Sequence, residues 1–336
     1  MNKKPYSETR ERIKTKQRER RRKRNLKITR IFSAMLLCVV LMVALSWVSM
    51  KAYEWGSQTY ATYMEIYEGY KQRKALREAS FDPRFNDYTN VLVVGLDAGK
   101  EDSGQQADSI ILLSAKHDTG EVRFIIIPRY TMVNIQGRNA PEPLNNSFYY
   151  GGIPLMEQTV AKTLDVTIHH YVVIDTVALA EVVDILGGVD IYVDNDLNYD
   201  DPEGELYIHI PKGLQHMEGD MAQKYLRFAS DDLGSYGRNL RQQKFLQAIH
   251  EKLLNPEVMT KLPELVDVCD RRIKSSIEAF DSGHFARLLS NMQGTKPKVI
   301  MLPGEMGKDG SWIYNYEKTT MMIDELFPIK EEEKSD

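Results

Sequence analysis

The segment NVLVVGLD, residues 90–97, is apolar from Val91 to Leu96 except at Gly95, and it ends on an aspartate. A continuous apolar run of this length, rich in valine and bounded by polar residues, predicts a strand that is buried on both faces. Four further runs have the same character: SIILLSA (109–115), VRFIIIP (122–128), HYVVID (170–175) and VDIYVD (189–194). We therefore expect a central sheet that is covered by helices on both sides.

Segments with helical periodicity separate or follow these strands. They are PLMEQTVAKTLDV (154–166), DTVALAEVVDILGG (175–188), GDMAQKYLRFA (219–229), NLRQQKFLQAIHEKLL (239–254), TKLPELVDVCDRR (260–272) and HFARLLSNM (284–292). The fold class that follows is α/β, with a layered α/β/α domain around a central mixed sheet. We place this domain at residues 85–327, which is long enough for a substantial core.

A single uncharged segment, Ile31–Met50, precedes the domain. As a helix it would span the hydrocarbon layer of a bilayer, about 30 Å thick. Residues 1–30 hold 14 Lys/Arg and 3 Asp/Glu, so the positive-inside rule places this basic tail in the cytoplasm and the domain outside. We predict a single-pass signal anchor in the cell membrane; a signal peptide cleaved near residues 44–46 is the alternative.

Residues 51–84, between the membrane segment and the domain, are predicted to form a helical stalk. Its tyrosines recur at spacings of three, four and three residues, at Tyr60, Tyr63, Tyr67 and Tyr70. These positions share one helical face, which indicates packing at the headgroup layer and on the domain. A coiled coil that makes the chain a homodimer is the alternative. The charged segment 328–336 is predicted to be a disordered tail.

Charged residues at strand ends are the first candidates for a functional site. The sequence contains no Walker loop, dinucleotide-binding glycine motif, nucleophile elbow or zinc-type Cys/His spacing. Asp97 follows the first apolar run, Asp108 precedes the second, and Arg129 follows the third. A single charge in such a position is often only solvated, but open α/β sheets bind their ligands at strand ends.

The segment YGRNLRQQ, residues 236–243, adds two arginines and two glutamines to this set. If a helix begins near Asn239, then Arg238, Arg241 and Gln242 lie on or next to its first turn. Unpaired N–H groups and the helix dipole favour an anion there, and they disfavour cations unless an anion is bound. The segment therefore predicts a phosphate site.

Two additional features bear on this phosphate site. Arg227, at the end of the preceding helix, could contribute to it, although Asp231 and Asp232 could instead hold the arginines in structural ion pairs. Asp97 and Asp108 suit Mg²⁺, which takes one or two carboxylates together with phosphate oxygens. The residues thus predict an external, membrane-tethered protein that binds a phosphorylated anion. A lipid-linked phosphate is a natural candidate for this anion, because the domain would lie close to the bilayer.

Several motifs occur in order between residue 90 and about residue 250. They are NVLVVGLD, ADSIILLSA, IIIPR with Thr131, LNNSFYYGG, VVIDTVALAEVVDILGGVDIYV, GLQHMEGDMAQKYLR and YGRNLRQQ. In this order and spacing they resemble the LytR-CpsA-Psr proteins of bacterial cell envelopes. The resemblance implies a phosphotransferase that moves a glycopolymer from a polyprenyl-pyrophosphate carrier onto peptidoglycan through a phosphodiester. It also implies an apolar tunnel for the lipid and a pyrophosphate site with Mg²⁺.

The resemblance also assigns roles by position. It implies that Asp97 and Asp108 lie on the metal side, with Asp97, Arg129 and Arg238 catalytic. The pyrophosphate ligands that it implies are Arg129, Arg227, Arg238 and Gln242, and the helix-start argument adds Arg241.

Four motif positions depart from the usual pattern of the family. Gln106 and Ala229 stand where an arginine is usual, and Tyr130 and Ser235 stand where an acidic residue is usual. These replacements leave open an envelope regulator that binds the polyprenyl carrier without turning it over. A nucleic-acid-linked regulator acting through the basic tail is a third hypothesis. The positive charge of this tail is already explained by its role in setting membrane topology and by attraction to anionic lipid headgroups. Nucleic acid is therefore not the expected partner.

Overall fold

The computed structural model describes residues 42, 45–75, 78–79, 81–97, 106–203, 206–229, 233–255, 257–278, 281–291 and 296–328. The chain divides into two compact units, with the boundary between residues 76 and 77. Both the predicted basic tail and most of the predicted membrane segment lie outside the described residues, as does the tail after Pro328. Within the described ranges, no helix has the length and apolar character needed to cross a bilayer.

In the first unit, residues 45–75 form one helix, α1. Tyr63 and Tyr67 stack with 6.3 Å between ring centroids, and Tyr67 and Tyr70 follow at 6.4 Å. The helix predicted from the tyrosine spacing is therefore present, with these rings along one face.

The second unit contains fourteen strands and seven longer helices in the part that the structure describes. The strands are β1 (Tyr88–Leu96), β2 (Ala107–Lys116), β3 (Val122–Ile126), β4 (Met132–Val133), β5 (Glu142–Pro143), β6 (His170–Asp175), β7 (Val189–Val193), β8 (Leu197–Asp201), β9 (Leu206–Ile210), β10 (Gly213–Met217), β11 (Lys274–Ser275), β12 (Lys298–Met301), β13 (Gly304–Met306) and β14 (Trp312–Tyr314). The helices are α2 (Asn145–Leu164), α3 (Thr176–Ile185), α4 (Gly219–Arg227), α5 (Gly234–Leu253), α6 (Val258–Arg272), α7 (Ser282–Asn291) and α8 (Tyr316–Leu326).

Six of the strands form a central mixed sheet in the order β11-β6-β1-β2-β3-β12. Strand β1 is antiparallel to β2 and parallel to β6, while β3 is antiparallel to β2 and parallel to β12. On one face, Leu92 and Leu112 join a core that includes Met156 of α2 and Ile323 of α8. On the other face, strand side chains such as Ile111 pack with residues from α5 and α7. The predicted layered α/β/α arrangement is therefore confirmed.

A second hydrophobic core lies beside the sheet and explains one error in the sequence prediction. VDIYVD does form a strand, but β7 pairs with β10 in a separate two-stranded sheet. Val189, Ile191 and Val193 are buried in this second core, while Asp190 and Tyr192 are exposed. This alternation of buried and exposed residues shows that only one face of β7 is buried, whereas a strand in the middle of the central sheet is buried on both faces.

The topology brings four chain segments to one edge of the central sheet. Because β2 is antiparallel to β1 and β3, its first residues lie beside the last residues of both neighbours. Strand β6 is parallel to β1, so it also ends at this edge. Asp97, Asp108, Arg129 and Asp175 are consequently carried to the same border of the sheet.

Arg123 fastens the C-terminal helix α8 to the opposite end of β3. Its side chain is buried, binds Glu121 at 2.8 Å and donates a short hydrogen bond to the carbonyl of Leu326. The guanidinium also lies over the rings of Tyr88 and Phe327, at 5.4 and 5.9 Å from their centroids. Strand and helix thus depend on one buried cation.

We expect Arg123→Met to lower the free energy of unfolding by about 1–3 kcal/mol, because it leaves the carbonyl of Leu326 without its buried donor. Glu121 loses one cation but keeps its ion pair with Lys298 at 3.2 Å. Chemical denaturation of the full chain measures this loss. Arg271→Met is the control, since Arg271 pairs with Asp267 on the exposed surface, where an ion pair contributes little to stability, and its loss should therefore be clearly smaller. Equal losses for the two variants would show that Arg123 does not fasten α8.

His250 of α5 makes stability depend on pH. Its ring is buried, and neither ring nitrogen has a hydrogen-bond partner among the described residues. Burial lowers the pKa of His250 from its usual 6.5, with the charge of Glu251 opposing the shift. The unfolded chain therefore binds this proton more tightly than the folded one does. The stability that neutral His250 contributes is present above pH 6.5 and is lost as the pH falls towards the lowered pKa.

His250→Leu should remove this acid sensitivity, because leucine cannot bind a proton and suits an apolar site. Denaturation midpoints measured between pH 7.5 and pH 5 should fall less steeply for the variant than for the native chain. The same acid slope in both would contradict the assignment.

Candidate active site

A cleft of about 370 Å³ opens at the sheet edge where the strand ends meet. We call it the charged cleft, after five residues that line it: Asp97, Asp108, Arg129, Arg227 and Arg238. Asp97 follows β1, Asp108 belongs to β2, Arg129 follows β3, Arg227 ends α4 and Arg238 belongs to α5. The structure therefore brings together both candidate aspartates and three of the four candidate arginines singled out in the sequence.

Ion pairs between these residues order the charged cleft. One oxygen of Asp108, Oδ1, accepts a short hydrogen bond from Nη1 of Arg129 and a second bond, at 3.3 Å, from Nη2 of Arg238. Across the cleft, Nη2 of Arg227 donates to Oδ2 of Asp97 at 3.0 Å. Three guanidinium groups thus face two carboxylates, so this set carries one excess positive charge, as an anion-binding site requires.

Arg238 is the cation whose environment most favours an added anion. Its burial lowers the pKa of the guanidinium, and the nearby charge of Arg129 lowers it further, while Asp108 opposes both effects. The Nε atom of Arg238 is buried and has no hydrogen-bond partner in the part of the chain that the structure describes. A phosphate at this position would supply negative charge and an acceptor to a cation that burial otherwise destabilises.

The helix start expected near Asn239 is wrong. Helix α5 begins at Gly234, so Arg238 and Arg241 lie beyond its first turn. The unpaired N–H groups at the start of the helix therefore do not contribute to anion binding at these two residues. The helix that begins at the charged cleft is α3, whose first residue, Thr176, lines it. Asp175 caps α3 by accepting the N–H of Ala178 at 2.6 Å, a signal that the sequence IDTVALA already contained.

Arg241 and Gln242 do not line the charged cleft. The guanidinium of Arg241 is buried, donates to the carbonyl of Phe228 at 2.6 Å and lies 4.9 Å from the centroid of the Phe228 ring. Arg241 is therefore not the ligand in the charged cleft that the sequence predicted. Its guanidinium instead connects α5 to the end of α4. Gln242 is also buried, but it lines the apolar pocket described next.

An apolar pocket of about 140 Å³ lies directly beside the charged cleft. The two share Asp108, Thr176, Arg227 and Arg238 as lining residues. Behind these, the walls come from β1, β2, β6, α3, α4 and α5, with Val93, Leu96, Ile111, Ile174, Leu179, Leu226, Phe245 and Leu246. Gly95 and Ser109 face each other here so closely that a methyl group on Gly95 would lie 2.9 Å from the Cβ of Ser109. A larger side chain at residue 95 would therefore collide with the neighbouring strand.

The four motif departures fall into different surroundings. Ala229 lines the charged cleft, so a neutral methyl group stands there in place of a cation. Gln106 accepts a hydrogen bond from Asn145 at 3.2 Å. Tyr130 places its ring under the guanidinium of Arg129, 4.5 Å from the guanidinium carbon. The side chain of Ser235 lies outside the described set.

Asp97 and Asp108 fit the chemistry of a Mg²⁺ site that is completed by a ligand. Both carboxylates line one cleft, and Mg²⁺ favours such hard oxygen donors. Across the described ranges, no group of three or more His, Cys, Asp or Glu side chains could hold a metal alone. Any Mg²⁺ here would therefore take much of its coordination from phosphate oxygens and water.

The fold and the site together define a mixed α/β protein with an arginine-rich charged cleft that lies beside an apolar pocket. The LytR_cpsA_psr family model matches residues 53–330. The chain belongs to this family, as the motifs predicted.

Individual relatives agree with this assignment. A Bacillus cereus protein named polyisoprenyl-teichoic acid–peptidoglycan teichoic acid transferase TagU is 28% identical over 232 residues, which cover 67% of this chain and 72% of the relative. The crystal structure of B. subtilis TagU has 26% identity and a TM-score of 0.52, over 72% of this chain and 96% of that one. B. subtilis TagV has 21% identity and a TM-score of 0.60, over 71% and 96%, and it is similar in fold.

Arg238 and Arg241 lie one turn apart in α5, so the same substitution at each should separate binding from folding. We expect Arg238→Gln to weaken the binding of farnesyl pyrophosphate about tenfold or more, because a charge-assisted contact is lost. Its unfolding midpoint should not fall, since Asp108 keeps Arg129. Arg241→Gln should instead lower the midpoint, because the Phe228 carbonyl loses a buried donor. Calorimetric titration and thermal unfolding of both variants test this; unfolding of Arg238→Gln would make that arginine structural.

Proposed function

We propose that this chain transfers a glycopolymer from a polyprenyl-pyrophosphate carrier to peptidoglycan, forming a phosphodiester. The observation that carries the proposal is the direct continuity between the charged cleft and the apolar pocket, which share four lining residues. A prenyl diphosphate has this same construction, with two phosphates joined to an apolar chain. A free nucleotide or sugar phosphate has no apolar chain, so it would leave the apolar pocket unfilled.

The relatives support the same substrate class. The Bacillus cereus relative is named for transfer of teichoic acid from a polyisoprenyl carrier to peptidoglycan, and the match extends over most of both chains. In this proposal the prenyl chain enters the apolar pocket, and Arg129, Arg227 and Arg238 bind the diphosphate. The sugar next to the diphosphate then lies towards Tyr199 and Leu206, which also line the charged cleft.

The proposed reaction is a displacement at the phosphorus that carries the sugar. The oxygen of an acceptor hydroxyl forms a bond to this phosphorus, and the bond from the phosphorus to the bridging oxygen breaks. The bridging oxygen keeps the electron pair and leaves as part of polyprenyl phosphate, and the hydroxyl proton passes to that phosphate or to water. Arginines fixed around the phosphates stabilise the charge that develops, without reorganising during the reaction.

Asp97 and Asp108 would hold Mg²⁺ together with the phosphate oxygens, and the bound ion would neutralise part of the diphosphate charge. Through their ion pairs, these carboxylates also offset part of the repulsion between the three guanidinium groups that line the cleft.

The proposal also includes the location of the reaction. A membrane anchor at residues 31–50, with the basic tail in the cytoplasm, would place the charged cleft outside the cell membrane, where peptidoglycan and the lipid carrier meet. A homodimer through the tyrosine stripe of the stalk stays a prediction.

A second candidate is a protein of the same fold that binds the polyprenyl carrier without transferring its sugar. The specific observation in its favour is that Asp108 already pairs with two arginines, and that Ala229 contributes no charge to the cleft. The four departures also remove two arginines and two acidic residues from the usual motif, so their net charge is balanced. Binding can therefore persist at these residues even if turnover does not.

Incubation of the full-length chain with Mg²⁺, peptidoglycan and a polyprenyl-pyrophosphate-linked disaccharide tests both candidates. We expect mass spectrometry to detect the disaccharide phosphodiester on peptidoglycan, with a rate lowered about a hundredfold or more by Asp97→Asn or by removal of Mg²⁺. Binding of the lipid without any product would support the second candidate instead. Absence of binding would contradict both.

A further inference from the structure

Tyr130 makes a contact with the charged cleft that its motif position does not predict. Its ring lies under the guanidinium of Arg129, with 4.5 Å between the guanidinium carbon and the ring centroid. Tyr130 and Arg129 also line a small recess beside the cleft, together with Asp108 and Arg238. The backbone of Tyr130 is fixed independently of its side chain, because its carbonyl accepts the N–H of Trp312 at 2.9 Å.

The stacking of Arg129 on an aromatic face has a specific chemical consequence. A guanidinium group carries five N–H donors, all in its own plane. A ring against the flat face attracts the cation without using any of those donors. One of them binds Asp108, which leaves others at the edge of the group for a second acceptor. A carboxylate in the position of Tyr130 would accept N–H bonds from Arg129 and would add negative charge beside an anion site.

We propose that Tyr130 is a positioning residue that holds Arg129 by its ring face, so that the guanidinium edge stays available to the diphosphate. The idea rests on the proposed function, since it assumes that Arg129 binds the phosphates of the carrier. Two contacts then define the place of Arg129: Asp108 fixes one edge, and Tyr130 fixes the plane. The tyrosine hydroxyl has no part in this role, whereas the aromatic ring is required.

Three substitutions at Tyr130 separate the effects on binding of the aromatic ring, of the hydroxyl group and of an added negative charge. Tyr130→Phe keeps the ring and should bind farnesyl pyrophosphate as the native chain does. Tyr130→Leu removes the ring and should weaken binding about threefold to tenfold, the range of a partly exposed cation–π contact. Tyr130→Asp should weaken binding at least as much, because the new carboxylate competes with phosphate for Arg129. Calorimetric titration of the full-length variants gives each dissociation constant.

Tyr150 provides a matched control. It forms a second tyrosine–arginine stack, with Arg138 at 4.3 Å, and neither residue lines the charged cleft or the apolar pocket. Tyr150→Leu should therefore leave the dissociation constant unchanged. If it weakens binding as much as Tyr130→Leu does, the loss is a general effect of removing a surface aromatic side chain.

A double-mutant cycle decides whether Tyr130 acts through Arg129. In an Arg129→Ala background, Tyr130→Leu should cause no further loss of affinity, because there is no guanidinium left to position. Additive losses would overturn the proposal, since they would mean that the ring contacts the ligand or supports the fold. Equal weakening by Tyr130→Phe and Tyr130→Leu would overturn it as well. Failure of the native chain to bind the probe would instead contradict the proposed function, so the two failures are distinguishable.

Discussion

The hydrogen bonds from Arg129 and Arg238 to one carboxylate oxygen of Asp108 are the interaction on which the site depends. They join the start of β2, the end of β3 and the second turn of α5, three parts of the chain that are distant in sequence. Without Asp108, two guanidinium groups would face each other in a partly buried space, where like charges repel strongly. With it, the same two cations form a preorganised site for an anion.

The sheet topology explains why this carboxylate lies where it does. Asp108 follows Ala107 at the beginning of an antiparallel strand, between two strands that end at the same border. The apolar pocket begins directly behind it because Ile111 of β2 points towards α5, into the hydrophobic layer on that face of the sheet. A charged mouth and an apolar interior are therefore consecutive parts of one strand, so strand geometry explains why the charged cleft and the apolar pocket lie side by side.

Much of this arrangement could be predicted from the sequence. Valine-rich and isoleucine-rich runs identified four of the six strands of the central sheet, β1, β2, β3 and β6, but not the short edge strands β11 and β12. The polar ends of these runs located Asp97, Asp108 and Arg129. Periodicity could not fix the start of α5, because the residues Gly234-Ser235-Tyr236-Gly237 are weak helix formers and are nevertheless helical. Tertiary contacts decide that boundary.

The distinction between Arg238 and Arg241 also lay beyond sequence reasoning. The two residues are three positions apart on one helix, where side chains share a face. Nevertheless, Arg241 donates to the carbonyl of Phe228, whereas Arg238 donates to Asp108. The stack of Tyr130 on Arg129 is likewise a tertiary contact that a motif comparison records only as a missing carboxylate. By contrast, the capping of α3 by Asp175 was available from sequence and would have predicted Thr176 at the cleft.

The central claim is that the charged cleft and the apolar pocket bind one ligand together. The most direct measurement is the affinity of the full-length chain for a series of probes with one head group: inorganic pyrophosphate, then geranyl, farnesyl and geranylgeranyl pyrophosphate. If the claim is correct, affinity rises with each added isoprene unit until the apolar pocket is full, because each unit buries more apolar surface. A series in which all four probes bind equally, or in which inorganic pyrophosphate binds best, would contradict it.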